Sequence, residues 1–235
     1  MFLALAVVVS AAASLTEALQ QLAALYEQRT GEQVVLNLGA SNTLARQIRA
    51  GARVDVFISA DDAQMDAVAG SIVPGTRMPL LSNQLAVAVP DDRPAHVGSA
   101  ADLAAGPLRR IAIGDPAAVP AGAYAKAWLL RAGVWERIAP RIVPAGSVRL
   151  ALAAVENGAA DAAIVYRTDI ATARRARLAF AVPPGEGPRI LYPAAALRGR
   201  NPAGAQRWLD FLRSPEASAV FERLGFIPLA SRPAA

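Results

Sequence analysis

The 235-residue sequence contains no cysteine and one histidine, His96, and these absences remove much of the chemistry that enzymes use. Without cysteine there are no disulfides, thiolate metal sites or cysteine nucleophiles. A Ser-His-Asp triad would have to recruit His96, which lies in a loop without a nucleophile elbow. The motifs HExxH, CxxC, GxGxxG and the P-loop are also missing. The sequence therefore favours a protein that is not an enzyme and has no cofactor and no directly ligated metal.

Aromatic residues make up 6% of the chain and charged residues 18%, whereas 54% of the residues are apolar. This apolar content is enough for a sizeable core and argues against disorder. The net charge of +5 comes mostly from scattered arginines. With so few aromatics, it is a poor match to a nucleic-acid groove. We expect a solvated, arginine-rich surface and no nucleic-acid partner.

The apolar start of the chain, residues 1–13, ends in three alanines as a signal peptide would, but it contains no Lys or Arg. It leads directly into Ser14 and Glu17, which have the spacing of a helix capping box. We interpret residues 7–9 as the first core strand, and the stretch is too short for a membrane helix. If the protein is exported, we expect its signal to lie upstream of this sequence.

Apolar runs followed by a polar turn and a helical pattern occupy residues 7–26, 34–51 and 54–68. Each run is followed by a serine: Ser14, Ser41 and Ser59. Three such units predict a parallel sheet, and ligands bind such sheets at the carboxyl ends of the strands. A helix start there offers unpaired N–H groups and partial positive charge, so it can bind an anion without Lys or Arg. Taken singly, each serine is more simply explained as a helix cap.

The alternation resumes with apolar runs at 111–113, 141–143 and 162–166, and two of the helices after them begin near Pro120 and Val148. Between the halves lie a strand at 85–89, a loop with a short helix at 90–108, and a Pro/Gly loop at 182–187. A strand at 190–197 contains Pro193, which indicates an edge or a crossing point. We therefore predict an α/β fold with two lobes, the first from residues 1–84 and 190–235, the second from 85–189.

Five stretches, in register from about residue 7 to the C-terminus, resemble the molybdate-binding proteins of ABC importers. They are residues 10–16, 39–48, 55–61, 114–126 and 164–166, which include SAAASLT, GASNTLARQI, DVFISAD, VPAGAYAK and IVY. The resemblance implies the two-lobed periplasmic binding protein fold (type II), with a ligand cleft between the lobes. One departure is Asn42, where many relatives continue a run of serines.

The resemblance also assigns five ligand-binding positions, two in the first lobe and three in the second: Ser14, Ser41, Ala121, Val148 and Tyr166. The serines and Tyr166 would supply hydroxyls, and Ala121 and Val148 only backbone N–H groups. Ser59 and Ala60 would line the cleft in support. Molybdate is a fully ionised dianion that only accepts hydrogen bonds, and none of the five positions is acidic. Sulfate has the same charge and shape, so cavity size would have to exclude it.

The leading hypothesis is a periplasmic, monomeric protein that binds molybdate or tungstate and delivers it to the membrane permease of an ABC importer. One alternative is a binding protein for sulfate or another tetrahedral oxyanion. Another is a cytoplasmic anion-sensing module, although no DNA-binding helix-turn-helix is evident. An enzyme on the same fold is the third alternative, and the lack of cysteine and the single loop histidine argue against it.

Overall fold

The computed structural model describes residues 6–93, 96–183 and 185–229. Residues 1–5 of the apolar start, 94 and 95 of the predicted 90–108 loop, and 184 of the predicted 182–187 loop lie outside the described residues. Contacts divide the chain into two units, one from Met1–Ser82 and Leu191–Ala235 and the other from Asn83–Ile190. The division predicted from the sequence differs from this by two residues at the first crossing and by one at the second.

Strands and helices alternate along most of the chain. The strands are β1 (Val7–Ala12), β2 (Val34–Gly39), β3 (Val56–Ile58), β4 (Met78–Asn83), β5 (Leu85–Pro90), β6 (Ile111–Gly114), β7 (Ile142–Ala145), β8 (Ala162–Tyr166), β9 (Ala176–Ala181), β10 (Ile190–Ala196) and β11 (Ile227–Pro228). The helices are α1 (Thr16–Thr30), α2 (Ser41–Arg49), α3 (Asp62–Asp66), α4 (Ala100–Ala105), α5 (Pro120–Arg131), α6 (Trp135–Ile138), α7 (Val148–Glu156), α8 (Arg167–Ile170), α9 (Pro202–Leu212) and α10 (Pro215–Arg223).

The first unit is built on a mixed sheet with the strand order β11-β4-β10-β3-β1-β2. Strand β1 pairs in parallel with both β2 and β3, which confirms the three strand–helix units predicted at the start of the chain. Strand β10 runs antiparallel to β3 and lies inside the sheet. Of the two interpretations of Pro193, the sheet edge is therefore wrong, whereas β10 does begin where the chain crosses between the units. The carbonyl of Pro193 accepts the N–H of Ser59 at 3.0 Å.

In helix α1, the buried face and the C-terminal end predicted from the sequence are confirmed, but the predicted N-terminal cap is not. Its predicted apolar face is buried, from Leu15 to Tyr26, and Gly31 ends it in the left-handed conformation with φ 70°. The predicted capping box is wrong. The helix starts at Thr16, and its N-cap, Leu15, makes no side-chain capping bond. Ser14 instead lies in a single 3₁₀ turn between β1 and α1, and its hydroxyl bonds elsewhere.

The second unit contains a five-stranded sheet with the order β7-β6-β8-β5-β9. Strand β6 pairs in parallel with β7 and β8, whereas β5 runs antiparallel to β8 and β9. The parallel strands match the apolar runs identified in the sequence. Among the residues that the structure describes, no helix combines the length and apolar character needed to span a bilayer.

Candidate functional site

Three buried serines lie at the carboxyl edge of the parallel strands in the first unit. Ser14 follows β1, Ser41 follows β2 and Ser59 follows β3, and their exposed fractions are 3%, 1% and 0%. Because the three strands are parallel neighbours, their carboxyl ends meet at one edge of the sheet. The structure thus brings together the three first-lobe serines identified in the sequence.

The hydroxyl of Ser14 contacts a partner that the sequence did not reveal. Its Oγ lies 3.0 Å from the phenol oxygen of Tyr192, which is fully buried on β10. Either hydroxyl can donate in this bond, and with Tyr192 as the donor the Ser14 O–H is left for another acceptor. Tyr192 follows Ser14 by 178 residues. The antiparallel pairing of β10 with β3 brings the two residues into the same sheet.

Ser41 is the first residue of α2, as predicted, but it does not cap the helix. The N-cap is Ala40, and the hydroxyl of Ser41 accepts the N–H of Ala60 at 3.0 Å. A hydroxyl that accepts in this way keeps its own hydrogen for a ligand. The N–H groups in the first turn of α2 are also without helical acceptors. Ala60 therefore supports this position through its backbone.

Ser59 takes part in the capping of α3 rather than presenting a free donor. Its Oγ accepts the N–H of Asp61 at 3.2 Å, and Asp61 accepts the N–H of Gln64 at 2.9 Å. Burial raises the pKa of Asp61, and the N–H of Gln64 and the hydroxyl of Ser59 oppose that rise. The N-cap of α3 is Asp61.

Asn42, the second residue of α2, departs from the serine run and has an unusual environment. Its side-chain oxygen Oδ1 is buried and, among the described residues, has no hydrogen-bond partner. A buried acceptor without a donor costs about 1–3 kcal/mol. The substitution of a carboxamide for a hydroxyl therefore leaves an unsatisfied group next to Ser41.

In the second unit, Ala121, Val148 and Tyr166 also lie at the carboxyl edge of parallel strands. They come after β6, after β7 and at the end of β8, and these strands are neighbours in the order β7-β6-β8. All three are buried, with exposed fractions of 1%, 5% and 1%. The other candidate, His96, is exposed and belongs to neither group.

Ala121 is the second residue of α5, directly after Pro120. The carbonyl of Val119 accepts the N–H groups of Gly122 and Ala123, both at 3.0 Å, so the turn is held from its N-cap. A Cβ at Gly122 would overlap the carbonyl oxygen of Gly114, the last residue of β6. Glycine is therefore required for this close approach, which sets the start of α5 against the strand end.

Val148 is the first residue of α7, and its N-cap is Ser147, whose hydroxyl accepts the N–H of Leu150 at 3.2 Å. The first N–H groups of a helix have no acceptor within it. Because the hydroxyl of Ser147 already accepts the N–H of Leu150, the group that this position can offer to an acceptor is the N–H of Val148. Its apolar side chain is buried.

Tyr166 ends β8 and is the N-cap of α8. Its N–H donates to Oδ2 of Asp169 at 3.1 Å. Oδ1 of the same carboxylate pairs with Nε of Arg149 at 3.0 Å, and Arg149 directly follows Val148. Sequence reasoning missed both Arg149 and Asp169, because their pairing across 20 residues has no local signature.

Among the residues that the structure describes, no three His, Asp or Glu side chains are grouped so that they could hold a metal ion. The five candidate ligand positions at the two strand edges offer hydroxyls and backbone N–H groups. Such donors match a ligand whose atoms all accept hydrogen bonds.

Comparison with known proteins gives a match over nearly the whole chain. The sequence model of a family described as bacterial extracellular solute-binding protein matches residues 7–227. The molybdate-binding protein ModA of Escherichia coli is 38% identical over 229 residues, which cover 94% of this chain and 88% of that protein.

Solved structures of binding proteins superpose on this chain and share its fold. The periplasmic molybdate-binding protein of Azotobacter vinelandii superposes with a TM-score of 0.84 at 27% identity, covering 97% of this chain and all of that one. The sulfate-binding protein SubI of Mycobacterium tuberculosis superposes with a TM-score of 0.86 at 15% identity, covering 97% and 88%. At that identity, the second likeness concerns the fold alone.

Proposed function

The chain belongs to the family of bacterial extracellular solute-binding proteins, and we propose that the solute it binds is molybdate, with tungstate as an equivalent ligand. Members of this family are binding proteins, which agrees with the prediction that the chain is not an enzyme. Its molybdate-binding relatives support an oxyanion as the ligand. The α/β fold with two sheets and the family resemblance predicted from the sequence are both confirmed.

The observation that carries the proposal is that the five candidate positions at the two strand edges offer neutral hydrogen-bond donors. We propose that Ser14 and Ser41 in the first unit, and Ala121, Val148 and Tyr166 in the second, are the molybdate-binding positions. Charge-assisted hydrogen bonds are about twice as strong as neutral ones, and helix N-termini add partial positive charge. Neutral donors also avoid the cost of burying Lys or Arg against the ligand.

The nearby carboxylates support a fully ionised ligand rather than one that carries a proton. A free carboxylate in the site would accept a hydrogen bond from the P–OH group of hydrogen phosphate, but it would repel a fully ionised dianion, which has no hydrogen to donate. Asp61 is engaged in capping α3, and Asp169 is paired with Arg149. We therefore propose selectivity for molybdate and tungstate over phosphate, with sulfate rejected by its smaller size.

In the cell, this protein would act in the periplasm as a monomer without a cofactor. It would deliver the anion to the membrane permease of an ABC importer. The names of its relatives support this assignment, since several are molybdate-binding proteins and one is a putative ABC transporter substrate-binding lipoprotein.

Titration calorimetry and thermal unfolding with four separate anions test the proposal. We expect molybdate and tungstate each to bind with a stoichiometry of one, and sulfate and phosphate to bind much more weakly. A ligand at 100 times its dissociation constant adds about 2.7 kcal/mol of stability. For a chain of this size, that corresponds to a rise of about 5–10 °C in Tm.

An equal response to sulfate would mean that the protein binds tetrahedral oxyanions in general rather than molybdate. No response to any of the four anions would contradict the proposal.

A further inference from the structure

We propose that the ion pair between the partly exposed Arg149 and the fully buried Asp169 positions two of the ligand donors, the N–H of Val148 and the hydroxyl of Tyr166, and thereby controls the affinity for the oxyanion. This inference rests on the proposed function. Neither residue belongs to the predicted site, and neither needs to touch the ligand. Both act through the residues beside them.

The carboxylate of Asp169 is fully buried and holds two elements at once. One oxygen, Oδ2, accepts the N–H of Tyr166 at 3.1 Å, which fixes the backbone where β8 turns into α8. The other oxygen, Oδ1, lies 3.0 Å from Nε of Arg149 at the start of α7. The position of Tyr166 is therefore tied to the first turn of α7, which begins 18 residues earlier in the chain.

Arg149 is itself fixed at a second point. Its Nη1 donates to the hydroxyl of Thr172 at 2.6 Å, and that hydroxyl donates to the carbonyl of Asp169 at 2.8 Å. The guanidinium thus bridges the side chain of Asp169 and the turn that follows α8. Because Arg149 directly follows Val148, this bridge also restrains the first turn of α7, which presents the Val148 N–H.

The pair has an electrostatic consequence as well. A lone carboxylate in the first turn of α8 would oppose a dianion held by Tyr166 and Val148. The guanidinium of Arg149 neutralises it, while Arg149 is directed to Asp169 rather than to the ligand. The arrangement keeps a structural carboxylate beside an anion site without adding a net negative charge there.

The chain offers a matched pair outside the site. Glu32, 4% exposed, accepts two hydrogen bonds from Arg207, at 2.8 and 3.2 Å, in the first unit. Its other partners are Tyr26 and Asn201, neither of which is among the predicted ligand positions. Removal of Arg207 therefore leaves a buried carboxylate without its guanidinium, as removal of Arg149 does. It does not disturb any of the proposed ligand donors.

Calorimetric titration with molybdate tests the inference on the wild type, Arg149→Met, Asp169→Asn, the double variant and Arg207→Met. Groups that orient metal ligands typically change affinity by about 10- to 100-fold when removed. We expect Arg149→Met to weaken binding by at least about tenfold, since it leaves the Asp169 charge uncompensated. The double variant should regain part of this loss, because the carboxamide introduced by Asp169→Asn carries no charge and still accepts the Tyr166 N–H.

The control Arg207→Met should lower Tm and keep the wild-type dissociation constant within about twofold. A purely structural role of Arg149 would reduce the binding-competent fraction at an unchanged dissociation constant, and would leave the double variant no better than Arg149→Met. If Arg149→Met does not fold, Thr172→Val decides the question. It removes the second anchor of Arg149, and we expect it to weaken binding by about threefold.

An Arg149→Met variant, or failing that a Thr172→Val variant, that binds molybdate as tightly as the wild type would overturn the inference. That result is distinct from failure of the proposed function, in which the wild type itself binds neither molybdate nor tungstate.

Discussion

At the scale of single residues, the two serine hydroxyls are the donors whose removal is most informative. Ser14→Ala/Ser41→Ala should weaken molybdate binding by at least about 100-fold, because each of the two lost hydrogen bonds to a charged group contributes about 1.5–3 kcal/mol. Calorimetry on the double variant measures this loss. Ser218→Ala, at another buried serine on α10, is the control and should bind as the wild type does. Unchanged affinity in the double variant would refute both serine assignments.

The phenol of Tyr166 allows a test of one atom. Tyr166→Phe keeps the buried ring and the backbone bond to Asp169, and should lower molybdate affinity by about tenfold through loss of the hydroxyl. Tyr26→Phe is the matched variant, since the Tyr26 hydroxyl donates to Glu32 at 2.8 Å. It should lower Tm and leave binding intact. Equal binding by both variants would remove Tyr166 from the site.

The site residues differ in how far the sequence could reveal them. Ser41 and Val148 stand where an apolar run gives way to a helical pattern, so their positions at helix starts follow from local periodicity. Their role as ligands came only from the family resemblance. Tyr192 and Asp169 could not be found from local periodicity. Tyr192 contacts Ser14 from a distant part of the chain, and Asp169 pairs with Arg149 on a different helix.

At the scale of elements, the strands followed by helices were predictable, and two others were not. Strand β4 contains Pro79 and lies between β10 and β11, two strands from the far end of the chain. Strand β9 has no fully buried residue and exists because it pairs with the buried strand β5. Neither has an apolar run followed by a helical pattern, which is the signal that found β1, β2 and β6.

The contact between β6 and α5 provides a test at this scale. Gly122→Ala adds a Cβ where the carbonyl of Gly114 lies, so the start of α5 must move away from the strand. We expect a loss of about 1–3 kcal/mol in unfolding free energy together with weaker molybdate binding, because Ala121 moves too. Chemical denaturation and calorimetry measure the two effects.

Gly70→Ala is the control for this change, since a Cβ there meets nothing within 4 Å. It should alter neither quantity. If Gly122→Ala lost stability but kept full affinity, the N–H of Ala121 would not be a ligand.

At the scale of the whole molecule, the buried acid Glu32 links α1 to α9 in the first unit. Burial raises the pKa of Glu32, but hydrogen bonds from Arg207, Tyr26 and Asn201 outweigh it and the net pKa is lowered. Burial and the neighbouring Glu32 carboxylate raise the pKa of Tyr26 to about 12, so Tyr26 stays a donor throughout the physiological range. The network therefore requires Glu32 to be ionised.

The pH dependence of stability follows from this shift. A group whose folded pKa is lowered contributes stability that is fully present above its unfolded value, about 4.3, and is lost as the pH falls through the folded value. We expect Glu32→Gln to be less stable than the wild type from pH 5 to 8 by a constant amount, with the difference shrinking below about pH 4. Urea unfolding of both proteins from pH 3 to 8 measures this difference.

A gap that stays constant down to pH 3 would mean that Glu32 contributes by packing rather than by charge. Because the network touches no ligand position, molybdate affinity at pH 7 should be the same in both proteins.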